Sequence, residues 1–127
     1  MEVTAGIIQK DGKILICQRP EGKSLAGFWE FPGGKQEPGE SLESCLQREL
    51  KEELDLDIKD IHPLYTIDRP ENNLHIHFFT CSPDGSEPHQ LEHQAIRWIY
   101  SDEIKGFRFC PSDAKLIKSV SLNLLFG

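Results

Sequence analysis

The clearest helix signal in the chain is residues 41–54, and it lies between stretches that show strand patterns. Ser41 is a suitable N-cap residue at its start. Asp55 stands where helices often end on glycine, and aspartate tolerates the left-handed conformation better than most residues. The apolar residues recur at helical spacing: Leu42, Cys45, Leu46, Leu50 and Leu54. We therefore predict an amphipathic helix with one buried stripe.

Strand patterns surround this helix. Residues 2–9 and 14–19 predict a hairpin, because Asp11-Gly12 between them is a strong turn signal. Further strands are expected at residues 29–31, 61–68, 74–81 and 95–100. Residues 112–125 predict a closing helix capped by Ser112, whose apolar face holds Leu116, Ile117, Val120 and Leu124. This order predicts an α/β (α+β) fold in which helices cover a mixed sheet.

Length and charge restrict the class of protein. A chain of 127 residues predicts one domain spanning residues 1–127. Hydrophobic residues make up 38% and charged residues 28%, which is a globular composition. The net charge of −7 disfavours a nucleic-acid polymer as partner, since gripping its backbone needs a basic face. A phosphate-bearing small molecule stays possible, because carboxylates hold the divalent metals that carry phosphate.

Targeting signals and cysteine motifs are missing from the sequence. No apolar run approaches the ~20 residues of a membrane span, and the first residues do not resemble a secretory signal. The four cysteines are irregularly spaced and form no C-x-x-C pair, so neither a zinc site nor a redox dithiol is indicated. We expect a cytoplasmic protein with buried free thiols.

The helix carries a cluster of charged residues that suggests chemistry. Glu49 lies three residues before Glu52 and four before Glu53, so these carboxylates are neighbours on the helix surface. Each like-charge pair costs about 0.2–0.5 kcal/mol in water, and a divalent cation would reverse that sign. Glu40 and a carbonyl of the Gly33-Gly34 turn fall in the same region of the sequence. The alternative is a solvated acidic face that pairs with nearby basic residues.

The spacing of these residues resembles the signature of the Nudix hydrolase family, G-x5-E-x7-R-E-U-x-E-E-x-G-U with U aliphatic. The match occupies residues 34–56 and runs through Gly34, Glu40, Arg48, Glu49, Leu50, Glu52, Glu53 and Leu56. One position departs, since Asp55 replaces the usual glycine. Outside this box, FWEFPGGK and LEHQAIRWIY resemble the MutT-like branch, which includes 8-oxo-dGTP diphosphatases and a CTP pyrophosphohydrolase.

The resemblance implies a fold and a reaction. The fold would be the Nudix α/β/α sandwich with a mixed β-sheet. The reaction would be hydrolysis of a nucleoside triphosphate to the monophosphate and pyrophosphate, with Mg²⁺ as cofactor and Mn²⁺ as a possible substitute. We expect a nucleoside triphosphate as the partner, no nucleic-acid polymer, no membrane, and a monomer or homodimer.

The resemblance also implies roles for the residues of the box. Glu49, Glu52 and Glu53 would ligate Mg²⁺, together with the carbonyl of Gly33. One of the helix carboxylates, or Glu92 in the loop before Trp98, would accept the proton of the attacking water. Arg48 would orient the glutamates rather than touch the substrate. Which carboxylate is the base stays open.

Four further residues are candidates for substrate binding, each with a structural alternative. Arg19 at the end of the second strand would contact phosphate, or else be a surface arginine. Phe31 and Phe78 would line the slot for the base, although aromatic residues on strands more often belong to the core. Asp113 would hydrogen-bond the base edge, or else compensate charge at a helix N-terminus.

Several functions remain open at this stage. The leading substrate is 8-oxo-dGTP, which implies sanitation of the nucleotide pool and DNA repair, and the alternative is CTP or dCTP. A non-catalytic nucleotide-binding module and a hydrolase of nucleoside diphosphate conjugates are further readings. His75 and His77 share one face of a strand but have no third metal ligand in the sequence nearby, so we expect them at the outer surface of the sheet or at the edge of the substrate cleft.

Overall fold

The computed structural model describes all residues 1–127 as seven strands and three helices, with two short 3₁₀ turns at Pro70–Asn72 and Ser101–Gly106. The strands are β1 (Glu2–Lys10), β2 (Lys13–Gln18), β3 (Trp29–Glu30), β4 (Gly33–Lys35), β5 (Ile58–Arg69), β6 (Leu74–Pro83) and β7 (Ala95–Ile99). The helices are α1 (Leu42–Leu54), α2 (Pro111–Ser119) and α3 (Leu122–Phe126). All the predicted strands and the main helix are present.

The strands form one mixed sheet with the order β3-β2-β1-β6-β5, in which β4 pairs with β1 and β7 pairs with β2. β1 and β6 run parallel, and the other pairs are antiparallel. The central strand β1 is bordered by β2, β4 and β6. Gly33 and Gly34, which were predicted as a turn, instead begin β4, and their pairing with β1 brings them next to the parallel pair.

Helices cover both faces of the sheet. One face packs against α1 through a core that includes Leu15, Leu46, Leu50 and Phe79. The opposite face forms a larger core with α2 and α3, to which Phe31, Phe78, Leu116, Leu125 and Phe126 contribute. The predicted α/β/α sandwich with a mixed sheet is confirmed, because alternating residues of the buried strands supply both cores.

The ends of α1 follow the sequence prediction. Ser41 caps the start, since its hydroxyl oxygen accepts a hydrogen bond from the backbone N–H of Ser44 at 3.1 Å. Asp55 ends the helix in the left-handed conformation (φ 51°, ψ 39°), and its N–H donates to the carbonyls of Leu50 and Lys51. Aspartate therefore takes the place of the usual glycine without preventing the turn.

The closing helix differs from the prediction of one helix over residues 112–125. α2 starts after Cys110 with Pro111 in its first turn, and Val120 is extended. Ser121 then caps α3 through its hydroxyl. This break changes the register, so that Leu125 and Phe126 are buried while Leu124 is 59% exposed. The prediction missed the break because Ser121, a good N-cap residue, lies inside the apolar periodicity.

All four cysteines are buried with free thiols, as predicted. None of the three helices combines the length and the apolar character required to cross a membrane.

Candidate active site

Two cavities meet beside the Gly33-Gly34 turn. The first, here called the large cleft, is about 710 Å³ and is lined by Val3, Phe31, Ile76, Phe78 and Asp113, among others. The second, here called the acidic cavity, is about 190 Å³ and is lined by polar residues that include Glu49, Glu53, Glu92 and His93. Arg19, Glu30 and Gly33 line both. The two cavities are therefore contiguous, and a molecule in the cleft can extend toward the acidic cavity.

Arg48 organises the outer side of α1. Its guanidinium binds Glu40 through two hydrogen bonds of 2.6 and 3.0 Å, and it also donates to Glu49 at 2.9 Å and to Glu52 at 3.1 Å. A further bond of 2.9 Å reaches the carbonyl of Lys35. The hydrogen bonds from Arg48 lower the pKa of Glu40 to about 2. The guanidinium thus connects the loop before α1 to two carboxylates of the helix.

The Gly33-Gly34 turn approaches other groups too closely for side chains. A Cβ on Gly34 would overlap the carboxyl group of Glu49, and a Cβ on Gly33 would overlap the carbonyl oxygen of Thr4. The glycines thereby let β4 pair with β1 directly against the acidic end of α1. This contact brings the backbone of the turn beside the carboxyl group of Glu49.

Glu53 is a buried carboxylic acid at the wall of the acidic cavity. Its side chain is 7% exposed. Burial, followed by the nearby carboxylates of Glu49, Glu30 and Glu92, raises its pKa to about 10. Four carboxyl groups therefore line this cavity, those of Glu30, Glu49, Glu53 and Glu92, against the two cationic side chains of Arg19 and Lys23.

Sequence reasoning missed two residues of this region, Glu30 and His93. His93 is buried, and its Nε2 lies 3.1 Å from Glu30 Oε2 and 3.5 Å from Glu53 Oε1. Glu30 also accepts a hydrogen bond of 2.9 Å from Arg19. Burial raises the pKa of Glu30, but the hydrogen bonds from His93 and Arg19 outweigh it, so that the pKa is below its usual value. The alternation of Trp29, Glu30 and Phe31 was a signal that Glu30 points away from the aromatic core.

The large cleft contains the candidates for base recognition. Phe31 stacks on Phe109 with ring centroids 5.6 Å apart, and both Phe31 and Phe78 are almost fully buried while lining the cleft. Asp113 is buried and accepts a hydrogen bond of 3.0 Å from the backbone N–H of Phe31. Burial raises the pKa of Asp113 to about 7. At neutral pH this group is therefore close to the midpoint of its titration.

The structure brings together most of the predicted site residues, but not all. The residues at the two cavities are Arg19, Phe31, Gly33, Glu49, Glu53, Phe78, Glu92 and Asp113. Arg48 and Glu52 lie outside the lining of the acidic cavity, and Glu52 is 51% exposed beside Arg48. His75 and His77 are not in the lining of either cavity, although they alternate on β6 with Leu74, Ile76 and Phe78 of the large cleft, and they pair with Asp68 and Glu2 at 2.6 and 2.7 Å.

The donor atoms of this region fit a hard divalent cation. Such ions prefer carboxylate and carbonyl oxygens, and the acidic cavity offers Glu49, Glu53 and Glu92 beside the Gly33 turn. The excess of carboxyl groups over cationic side chains in this lining is the observation that supports the fit. The side chains do not form a complete three-ligand cluster in this arrangement. Arg48 holds both Glu49 and Glu52, so a full ligand set requires side-chain rotation.

A family model described as a NUDIX domain matches residues 3–119 of the chain. The chain belongs to the Nudix family. The chain is thus a Nudix hydrolase, and its curated relatives are named as diphosphatases and pyrophosphohydrolases. The resemblance stated from residues 34–56 is confirmed.

Curated relatives and solved structures place this Nudix domain in the MutT-like branch. It is 36% identical over 121 residues to the CTP pyrophosphohydrolase of Escherichia coli, covering 94% of this chain and 90% of that protein. It is 33% identical over 120 residues to the 8-oxo-dGTP diphosphatase of Haemophilus influenzae, covering 92% and 88%. A solved structure from work on MutT of Aliivibrio salmonicida and Vibrio cholerae has a TM-score of 0.80 at 32% identity, covering 94% and 98%.

Proposed function

We propose that this Nudix hydrolase uses Mg²⁺ to convert a nucleoside triphosphate and water to the nucleoside monophosphate and pyrophosphate. The observation that carries the proposal is the continuity of the two cavities. The large cleft accepts a base and sugar, and the triphosphate then extends past Arg19 and Gly33 into the acidic cavity. A bridging cation accounts for the presence of so many carboxylates beside a polyphosphate.

Glu49, Glu52, Glu53 and the carbonyl of Gly33 are the proposed ligands of the cation. A bound Mg²⁺ would neutralise phosphate charge and lower the pKa of a water molecule. Glu53 is the ligand best prepared for this role, because the cation would relieve the repulsion that raises its pKa to about 10. Glu52 would have to turn from Arg48, and its exposed side chain is free to do so. Mn²⁺ would substitute for Mg²⁺.

The remaining roles follow from the same geometry. Arg48 positions Glu49 and Glu52 through the hydrogen bonds described above. One carboxylate of the acidic cavity accepts the proton of the attacking water, and Glu92 is the solvent-exposed candidate. Arg19 lines both cavities and supplies a cation for phosphate binding. The ion pair with Glu30 holds the guanidinium of Arg19 in this position.

The base would bind against Phe31 and Phe78 and would be read by Asp113. A protonated Asp113 presents one donor and one acceptor, which complement the N3 atom and the amino group of cytosine. An ionised Asp113 presents acceptors only, which complement N1–H and the amino group of an oxidised guanine. The pKa of about 7 makes both forms accessible at neutral pH.

Two substrates are therefore proposed. The first is 8-oxo-dGTP, which would make the enzyme part of nucleotide-pool sanitation in the cytoplasm and, indirectly, of DNA repair. The second is CTP or dCTP, and the relative that is 36% identical and is named for CTP favours it. A non-catalytic module is disfavoured because all four glutamates of the box are present.

A turnover panel tests this proposal. Purified protein is assayed with Mg²⁺ against CTP, dCTP, dGTP and 8-oxo-dGTP, and pyrophosphate is measured separately from orthophosphate. We expect monophosphate and pyrophosphate from at least one substrate, and loss of turnover by orders of magnitude in Glu52→Gln. Glu43→Gln, which changes an exposed glutamate at the other end of α1, is the matched control. Orthophosphate as the sole product, or unchanged turnover in Glu52→Gln, contradicts the proposal.

A further inference from the structure

His93 is a buried histidine that contacts carboxylates from two different elements. Its side chain is 5% exposed. Nε2 donates toward Glu30 of β3 at 3.1 Å and lies 3.5 Å from Glu53 of α1. The other ring nitrogen, Nδ1, is buried and has no hydrogen-bond partner. A proton on Nδ1 would remain unsatisfied, so the favoured tautomer carries its proton on Nε2, facing both carboxylates.

The same histidine completes a chain of contacts between the two cavities. Arg19 donates to Glu30 at 2.9 Å, Glu30 accepts from His93, and His93 lies against Glu53. Arg19 is itself held by a hydrogen bond of 2.7 Å to the carbonyl of Ser24. The chain therefore runs from the arginine shared by both cavities to the buried carboxylate at the end of α1.

His93 also anchors the loop that carries Glu92. Glu92 is exposed at the acidic cavity, whereas His93 next to it is buried. The following residue is tied to the sheet, since the N–H of Gln94 donates to the carbonyl of Gln18 at 2.9 Å. Burial of the imidazole thus determines on which side of the loop the carboxylate of Glu92 emerges.

We infer that His93 is a positioning residue that holds Glu53 and Glu30 in the arrangement needed for a divalent cation to bind. The inference rests on the proposed function, because it assumes that Glu53 is a ligand. The role inferred for His93, which lines the acidic cavity, is to orient these two carboxyl groups rather than to bind the cation. It acts by directing one N–H between two carboxylates, which keeps Glu53 turned toward the acidic cavity. Partners that orient metal ligands contribute about 10–100-fold to metal affinity or activity.

The test compares two substitutions that differ in hydrogen-bonding ability. His93→Leu fills the buried space without a hydrogen-bond donor. His93→Gln keeps a donor, because its side-chain amide extends about as far from the backbone as the Nε2 atom of histidine. Binding of Mn²⁺ alone, without nucleotide, is measured by calorimetry or electron paramagnetic resonance. We expect His93→Leu to bind Mn²⁺ about 10–100-fold more weakly and His93→Gln to stay within about threefold of the wild type. His89→Leu, in the same loop but exposed, is the matched control and should leave the affinity unchanged.

Steady-state kinetics with the best substrate of the panel gives a second measurement. We expect His93→Leu to lower kcat with little change in KM, since the lost contact does not involve the nucleotide. In a Glu53→Gln background, His93→Leu should have little further effect on Mn²⁺ affinity, because the two residues act as one unit. Additive effects in that double variant would overturn the inference.

The outcomes separate this inference from the proposed function. Equal Mn²⁺ affinities in the wild type and His93→Leu overturn the positioning role, and so does a His93→Gln that is as impaired as His93→Leu. If His93→Leu fails to fold, His93→Met, which also fills the buried space without an N–H donor, replaces it in both the single and the double variant. A wild type that binds Mn²⁺ but hydrolyses no nucleotide overturns the proposed function instead, and the Mn²⁺ comparison then tests His93 alone.

Discussion

The carboxyl groups on the two sides of the acidic end of α1 lie in opposite electrostatic environments. On the outer side, one guanidinium, Arg48, binds Glu40, Glu49 and Glu52. On the inner side, Glu53 is buried among carboxyl groups, and the His93 ring lies 3.5 Å from it. The outer carboxylate Glu40 has its pKa lowered to about 2, while the inner carboxylate Glu53 has its pKa raised to about 10.

This contrast shows how one helix can hold two groups of carboxyl side chains in different environments. The outer network compensates its charge with the protein's own cation, so it stabilises the loop against α1. The inner cluster buries Glu53 among other carboxyl groups, which lowers the stability of the metal-free protein. A divalent cation bound there would offset that cost. Perturbed carboxylates of this kind concentrate at functional sites.

The largest effect is expected from Glu53→Gln, which removes the buried acid. Turnover should fall by at least about 100-fold, because a proposed metal ligand is lost.

The same residue should make the stability of the metal-free protein, measured with EDTA present, depend on pH. The folded protein holds a proton on Glu53 that the unfolded chain releases above its ordinary pKa of 4.5, so the free energy of unfolding falls as the pH rises from about 4.5 toward 10.

Glu53→Gln should remove that dependence, so that the variant melts at or above the temperature of the wild type at pH 8. Thermal denaturation at pH 5 and pH 8 and a steady-state assay measure the two effects. Glu43→Gln should change neither. A variant that loses stability at pH 8 would show that Glu53 is compensated in the free protein.

The next effect is expected from Arg48→Lys, which preserves the charge of the outer network but removes the forked geometry. Lysine cannot bind Glu40 with two donors while also reaching Glu49, so the orientation of the helix carboxylates is lost. We expect kcat to fall on the order of tenfold and Mn²⁺ affinity to fall with it. Unchanged kinetics would confine Arg48 to a structural role.

An intermediate effect is expected from Asp113→Asn, because it leaves α1 intact and acts on the large cleft. The amide resembles the protonated acid, which has one donor and one acceptor. If cytosine is the base, turnover of CTP should be retained and its KM should become less dependent on pH around 7. If oxidised guanine is the base, the KM for 8-oxo-dGTP should rise. Profiles of kcat/KM from pH 6 to pH 8.5 distinguish the two bases.

The smallest effect is expected from Lys51→Ala, which removes the exposed ion pairs of this α1 residue with Asp55 and Asp57 just beyond the end of the helix. These pairs are screened by solvent, so the melting temperature should change by no more than about 2 °C. Kinetics should not change. A large loss of stability in Lys51→Ala would show that its exposed ion pairs stabilise α1 in the same way as the Arg48 network.

Local patterns in the sequence were sufficient for the helix α1, its two caps and most of the box. Spacing of three and four residues makes Glu49, Glu52 and Glu53 neighbours whatever the rest of the chain does. The αL turn at Asp55 was equally predictable, since it depends on the conformational tolerance of one residue type.

The closing helix shows where local patterns fail. Its apolar periodicity continues across Val120, so one helix was predicted. The break became favourable because Leu125 and Phe126 bury themselves against the sheet only after the register changes. That energy comes from residues far away in the sequence and has no local signal.

By itself, the sequence determined the helix with its carboxylates and, through the spacing of residues 34–56, the family, but it did not predict that Gly33 and Gly34 begin strand β4. Only the tertiary structure decided that Glu53 is buried whereas Glu52 is exposed, and that Arg48 compensates one side of α1 but not the other. It also decided that Glu30 and His93 meet Glu53, although they lie on β3 and in the loop before β7. The reason is that burial and electrostatic environment depend on which elements pack together, and strand pairing joins segments whose proximity no local spacing encodes.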